Sequence, residues 1–121
     1  MENTKNTLKK ITIGEIYLNI LSDDWDWYNF AVKYKFNIEI AREFKDQINW
    51  FSVCLNQKLS EDLIEEFLPY LNWEFISATQ NLSEAFIEKY RDEVDWIYIY
   101  SRQKLSKEFT EKYIEKLLSK I

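Results

Sequence analysis

Histidine is absent from this 121-residue chain, and cysteine, glycine and proline occur once each. Average usage would give roughly eight glycines and six prolines in a chain this long. Hairpin turns, dinucleotide-binding loops and phosphate-binding loops all need glycines that are missing here, which leaves an all-α chain. Without histidine, the usual catalytic triads, Cys/His dyads and zinc sites are excluded, so we expect no enzyme, no metal and no cofactor. The lone Cys54 cannot close an intramolecular disulfide, and no basic-then-apolar leader or run of eighteen apolar residues occurs. A reducing, cytoplasmic setting away from any membrane is therefore expected. Basic residues are outnumbered, 16 against 21 acids, for a net charge of −5 and a pI near 4.8. Direct nucleic-acid binding is disfavoured by that balance, because phosphate contacts need clustered Lys and Arg. A partner with a basic surface fits better.

Apolar residues make up 46% of the chain and aromatics 17%, ample for a core in one domain spanning residues 1–121. An internal period organises them. Trp27, Trp50, Trp73 and Trp96 stand 23 residues apart, each preceded by Asp or Asn. In the same register Leu59-Ser60, Leu82-Ser83 and Leu105-Ser106 coincide, with Phe36-Asn37 as an earlier variant and Gly14 at the Ser position of the first copy. Copies fall at 14–36, 37–59, 60–82 and 83–105, preceded by a leader at 1–13 and followed by a half copy at 106–121.

Each copy carries two helix-start signals. Asn37, Ser60, Ser83 and Ser106 are good N-caps, and acids such as Glu61, Asp62 and Glu84 follow in the first turn, where they favour the positive end of the helix dipole. Asn49, Asn72 and Asp95 cap a second helix that begins at the Trp. Apolar residues flank the caps as staples, Leu59 with Ile64 and Leu71 with Ile76. The spacing predicts a helix A of about nine or ten residues and a helix B of about seven. Helix A has an apolar side (Leu63, Ile64, Phe67, Leu71) and an acidic one, which places it outside. Helix B, with Trp50-Phe51-Ser52-Val53-Cys54-Leu55, is apolar around most of its circumference, which predicts an inner layer. Helices this short are marginal alone, so stacking must supply their burial. The expected fold is a short α-solenoid of about four and a half two-helix 23-residue repeats, closing on a terminal helix from about Ser106 to Leu118.

The run from Lys58 to Phe67, that from Asn81 to Tyr90, and the Val94-Asp95-Trp96 and Asn72-Trp73 steps resemble the LSExFIEKFxDxVDW-type α-helical tandem repeat of phages, large DNA viruses and low-GC bacteria. The resemblance covers residues 36–117 well and 14–35 weakly. It implies a viral or mobile-element setting and carries no catalytic motif.

Repeated positions are read as framework. The Trp series is expected to be core, Gln57, Gln80 and Gln103 to make hydrogen bonds between repeats, and Cys54 to be a small buried thiol. Asp23, Asp24 and Asp26 lack the spacing and Gly turn of a calcium loop, so a helix junction with one cap is expected. Glu43 with Asp46, and Glu88 with Asp92, sit on the exposed side of helix A, where nothing prepares a carboxyl for acid–base work.

Charge is less evenly spread. Residues 59–88 hold seven acids and no base, whereas 102–121 hold six bases (Arg102, Lys104, Lys107, Lys112, Lys116, Lys120) against three acids. Solubility alone accounts for such stripes in many helices, and docking on a basic surface accounts for them equally. Aromatics that vary between copies (Tyr28, Phe51, Tyr70, Phe75, Tyr98, Tyr100) are the best contact anchors. The candidate partner-binding set is Glu61, Asp62, Glu65, Glu66, Tyr70, Glu74, Phe75 and Tyr98. Two function classes follow. One is a phage or mobile-element inhibitor, similar in style to anti-CRISPR proteins, occupying the basic groove of a host nucleic-acid-binding defence protein. The other is a structural or self-associating scaffold. Nucleic-acid binding through the basic terminal helix is a weaker third.

Overall fold

A computed structural model of the chain describes residues 8–119, so the first seven residues of the leader, Lys120 and Ile121 lie outside the described residues. Among those described there are nine α-helices and no β-strand; one isolated parallel bridge pairs Lys9 with Tyr34. No helix among them is long and apolar enough to cross a membrane. The chain divides into two compact units, Met1–Gln57 and Lys58–Ile121.

The first unit holds α1 (Ile13–Ile20), α2 (Trp27–Lys33), α3 (Ile38–Phe44) and α4 (Trp50–Asn56), with α2 packed on α4. Asp26, Asn37 and Asn49 cap α2, α3 and α4 through their side-chain oxygens, as their residue types predict. The first copy departs from the pattern. Its cap is Thr12, two residues before Gly14, because Thr12 and Glu15 form a complete capping box that a glycine cannot offer. Phe30, Ile40, Phe44 and Val53 are buried at the centre of this unit.

The second unit holds α5 (Glu61–Glu66), α6 (Trp73–Thr79), α7 (Glu84–Lys89), α8 (Trp96–Arg102) and α9 (Lys107–Leu118). Here α6 packs on α8 and α8 on α9. Ser60, Asn72, Ser83, Asp95 and Ser106 cap them in turn, and the last helix lies where the sequence puts it. Ile64, Ile76, Ile87 and Ile99 are fully buried, and each such burial contributes roughly 1.5–3 kcal/mol, more than helices of six or seven residues could supply by themselves.

Three expectations need correction. Helix A is six or seven residues long, not nine or ten, in α3, α5 and α7. The chain tightens into three-residue turns instead, with Tyr70 N–H donating to the Phe67 carbonyl at 2.9 Å and Glu93 N–H to the Tyr90 carbonyl at 2.9 Å. Pro69 enforces this after α5, since it has no N–H to continue the helix. Elsewhere the Trp indole takes over: Trp50 Nε1 donates to the Lys45 carbonyl at 3.0 Å and Trp96 Nε1 to the Arg91 carbonyl at 2.9 Å. Carbonyls that a longer helix would have bonded internally are thereby satisfied.

The Trp series is accordingly less buried than a core series. Only Trp96 is buried; Trp27, Trp50 and Trp73 are half-buried. Their rings still pack alike, Trp73 on Tyr90 at 5.0 Å, Trp96 on Tyr113 at 5.0 Å and Trp27 on Phe44 at 5.3 Å between centroids. Nor is helix B enclosed on all sides. Its fourth residue is buried in every copy, but Tyr28, Val32, Phe51, Leu55, Ile97 and Tyr100 are exposed, because two turns of helix cannot turn every position inward.

The glutamine series does make the bonds expected of it. Gln57 donates to the Ala31 and Tyr34 carbonyls at 2.9 and 2.6 Å and accepts from Phe36 N–H at 2.8 Å. Gln103 repeats the pattern on the Ser77 and Gln80 carbonyls and on Leu82 N–H, while Gln80 accepts from Leu59 N–H. Gln57 and Gln103 thus each seal the exit of one helix B and the entry to the next helix A.

Candidate partner-binding surface

Four of the eight candidate residues lie on α5, whose first turn carries Glu61 and Asp62 and whose second carries Glu65 and Glu66. Tyr70 belongs to the turn after it, Glu74 and Phe75 lie in the first turn of α6, and Tyr98 sits two helices on, in α8. The acids differ in what holds them.

Glu61 is committed to the next copy. Its carboxylate accepts from Ser83 N–H at 2.7 Å and from Ser83 Oγ at 3.1 Å, so it grips the cap of α7. Glu84 does the same to Ser106, the cap of α9. Glu65 accepts from Lys89 Nζ and from Tyr90 Oη, both at 2.6 Å. One period later Glu88 accepts from Lys112 Nζ at 3.0 Å, and Asp92 pairs with Lys116 at 2.6 Å. Lys89, and then Tyr90, hold the Glu65 carboxyl below the ordinary range; Lys112 does so for Glu88 and Lys116 for Asp92. Reciprocally, Glu65 raises Lys89 and Glu88 raises Lys112. In the first unit the Tyr17 hydroxyl donates to Glu43, which raises the phenol.

A second group of acids has no such duty. The Asp62, Glu74 and Glu93 carboxylates have no hydrogen-bond or ion-pair partner among the described residues, and all are exposed. Glu74 and Glu93 line one cleft of about 280 Å³ with Trp73, Val94, Asp95, Trp96 and Ile97. Asp95 Oδ1 is occupied there in capping α8, accepting from Ile97 N–H at 3.1 Å and Tyr98 N–H at 3.3 Å. Among the aromatic candidates, Tyr70 is exposed with its ring 6.2 Å from Phe67, Phe75 is half-buried, and Tyr98 is half-buried beneath the Arg102 guanidinium at 5.8 Å. Glu66 is exposed on the second turn of α5.

Sequence reasoning missed Glu93. In the 23-residue register it stands where earlier copies have Asp24, Gln47 and Tyr70, while Glu74 stands where others have Tyr28, Phe51 and Ile97. For Glu74 that departure from the repeat was the signal available; Glu93 shares its acidic character with Asp24 and carried no such signal.

The remaining reactive groups are quiet. Burial pushes the Cys54 thiol up to about 11, the opposite of an activated nucleophile. Asp26 accepts from Tyr28 N–H at 2.9 Å and from Asn29 Nδ2 at 3.0 Å, as a helix cap. No protein-family model, curated protein or solved structure matches the chain.

Proposed function

We propose that the chain is a short α-solenoid of about four and a half helix pairs acting as a non-enzymatic protein-binding module, which presents an acidic, aromatic-edged face to a basic surface. The observation that carries this reading is the division among the acids. Glu61, Glu65, Glu84, Glu88 and Asp92 are taken up by neighbouring copies, while Asp62, Glu74 and Glu93 have no partner among the described residues. Exposed carboxylates on a chain that also carries the accessible ring of Tyr70 and the half-buried rings of Phe75 and Tyr98 suit electrostatic steering followed by aromatic contact. The absence of histidine, the raised Cys54 thiol and the lowered Glu65, Glu88 and Asp92 carboxyls leave no group prepared for acid–base or nucleophilic work.

The resemblance to phage and viral repeats supplies a setting: an inhibitor in the host cytoplasm, seated in the nucleic-acid groove of a defence protein. Affinity capture from host lysate with the wild-type chain and with Asp62→Lys/Glu74→Lys, compared by mass spectrometry, tests it. A basic partner retained by the first and lost by the second, and released as salt rises, is expected. A partner held equally by both would overturn the reading. Lys112 and Lys116, already engaged by Glu88 and Asp92, favour it over nucleic-acid binding through α9.

Self-association is favoured by a different observation, the exposed Tyr28 and Val32 of α2 beside Phe51 and Leu55 of α4. Sedimentation velocity decides it. A salt-insensitive dimer would support the scaffold reading, and a monomer at all concentrations would dismiss it.

A further inference from the structure

The cleft between the first turns of α6 and α8 has features that the rest of the acidic face lacks. Its two carboxylates, Glu74 and Glu93, come from successive copies and have no hydrogen-bond or ion-pair partner among the described residues, and the register of Glu74 is filled by the uncharged Tyr28, Phe51 and Ile97 in the other copies, so the repeat framework does not require an acid there. No Lys or Arg lines it, and the nearby Arg91 guanidinium is turned to the Glu88 carbonyl at 3.0 Å. One wall is aromatic. The Trp96 indole is buried with its N–H spent, whereas Trp73 is half-buried and Ile97 is 45% exposed. At about 280 Å³ the cleft has room for one long side chain.

Resting on the protein-binding reading above, we infer that this cleft is an anchor pocket for a single arginine side chain of the protein partner. A guanidinium is planar, always charged and weakly hydrated; it can lie on an indole face while its fork of N–H groups reaches two carboxylates. Lysine offers a point charge and no plane, and keeps its hydration shell more firmly. A hard divalent cation needs six or more oxygen ligands, more than two carboxylates beside Trp and Ile supply.

The test uses the full ¹⁵N-labelled chain and an acetylated, amidated tri-arginine peptide, with tri-lysine and tri-citrulline peptides as controls, followed by the tryptophan indole cross-peaks in two-dimensional NMR. The Trp73 Nε1–H peak should move most, tri-arginine should bind more tightly than tri-lysine, and tri-citrulline should leave the peak in place. Glu74→Gln/Glu93→Gln should weaken tri-arginine binding about tenfold, while Glu108→Gln, an exposed acid on α9, should change it less than twofold. Helical circular dichroism of each variant confirms that it folds. Tri-arginine binding that survives Glu74→Gln/Glu93→Gln would overturn the anchor and leave the wider acidic-face reading standing. Equal shifts from citrulline would overturn it likewise. If tri-arginine binds nowhere and Asp62→Lys/Glu74→Lys also retains the captured partner, both fail together.

Discussion

Gln103 reaches from the end of α8 back to the Ser77 and Gln80 carbonyls at 3.0 and 2.7 Å, and its own oxygen takes Leu82 N–H at 3.1 Å. Replacing it with leucine would strand two carbonyls and one N–H, so Gln103→Leu should cost about 2–3 kcal/mol in urea unfolding. Gly14 is the reverse case. A Cβ there would meet only Thr12 Oγ1 at 3.9 Å, ordinary contact distance, and its φ is not positive, so nothing in the fold requires a glycine. Gly14→Ala should stabilise the chain by about 0.5 kcal/mol through the unfolded state. The tryptophans divide by burial: Trp96→Ala should cost about 3–5 kcal/mol, and Trp73→Ala, half-exposed, clearly less. Equal losses would show that burial does not rank them.

From α2 onward each helix was legible from its first residue. Asn, Asp or Ser placed a cap 23 residues after the last one, and every cap from Asp26 to Ser106 fell where it was expected. Helix ends were less legible, because α7 gives way to a three-residue turn whose Arg91 carbonyl is satisfied by an indole five residues on, a bond with no local signature. Between elements, the paired acids set a pH dependence whose sign follows from their shifts. Glu65, Glu88 and Asp92 titrate below their ordinary values of 4.5, 4.5 and 3.8 when folded, so their contribution is complete above those values and is lost as pH falls through the folded ones. Lys89 and Lys112 are raised above 10.5, so theirs is complete below that value and is lost as pH rises past the folded one. The melting temperature of the wild type should exceed that of Glu65→Gln/Glu88→Gln throughout neutral pH, and the gap should shrink as pH falls below 4.5 and close once it has passed the lowered folded values, where the carboxyls are protonated in both states. A gap that persists there would mean that the pairs act by packing and not by charge.

Across the chain, the all-helical character of the described residues was readable from composition, since missing glycines are a property of the full sequence. The use of the acids was not. Glu61 and Asp62 are adjacent in sequence and equally acidic, and only the position of Ser83 separates a structural carboxylate from an unspent one. The 22-residue step from Glu61 to Ser83, repeated from Glu84 to Ser106, was present in the sequence as a period one short of the repeat. Net charge thus overstates what is available to a partner. The central claim is that the acids divide into a set joining successive copies and a set left for binding. Urea denaturation of Glu61→Gln/Glu84→Gln beside Glu74→Gln/Glu93→Gln tests this most directly. The account predicts that the first pair loses about 1–2 kcal/mol, as four hydrogen bonds to two helix caps weaken, and that the second stays within about 0.5 kcal/mol of the wild type. Equal losses in the two variants, or a larger loss in the second, would contradict it.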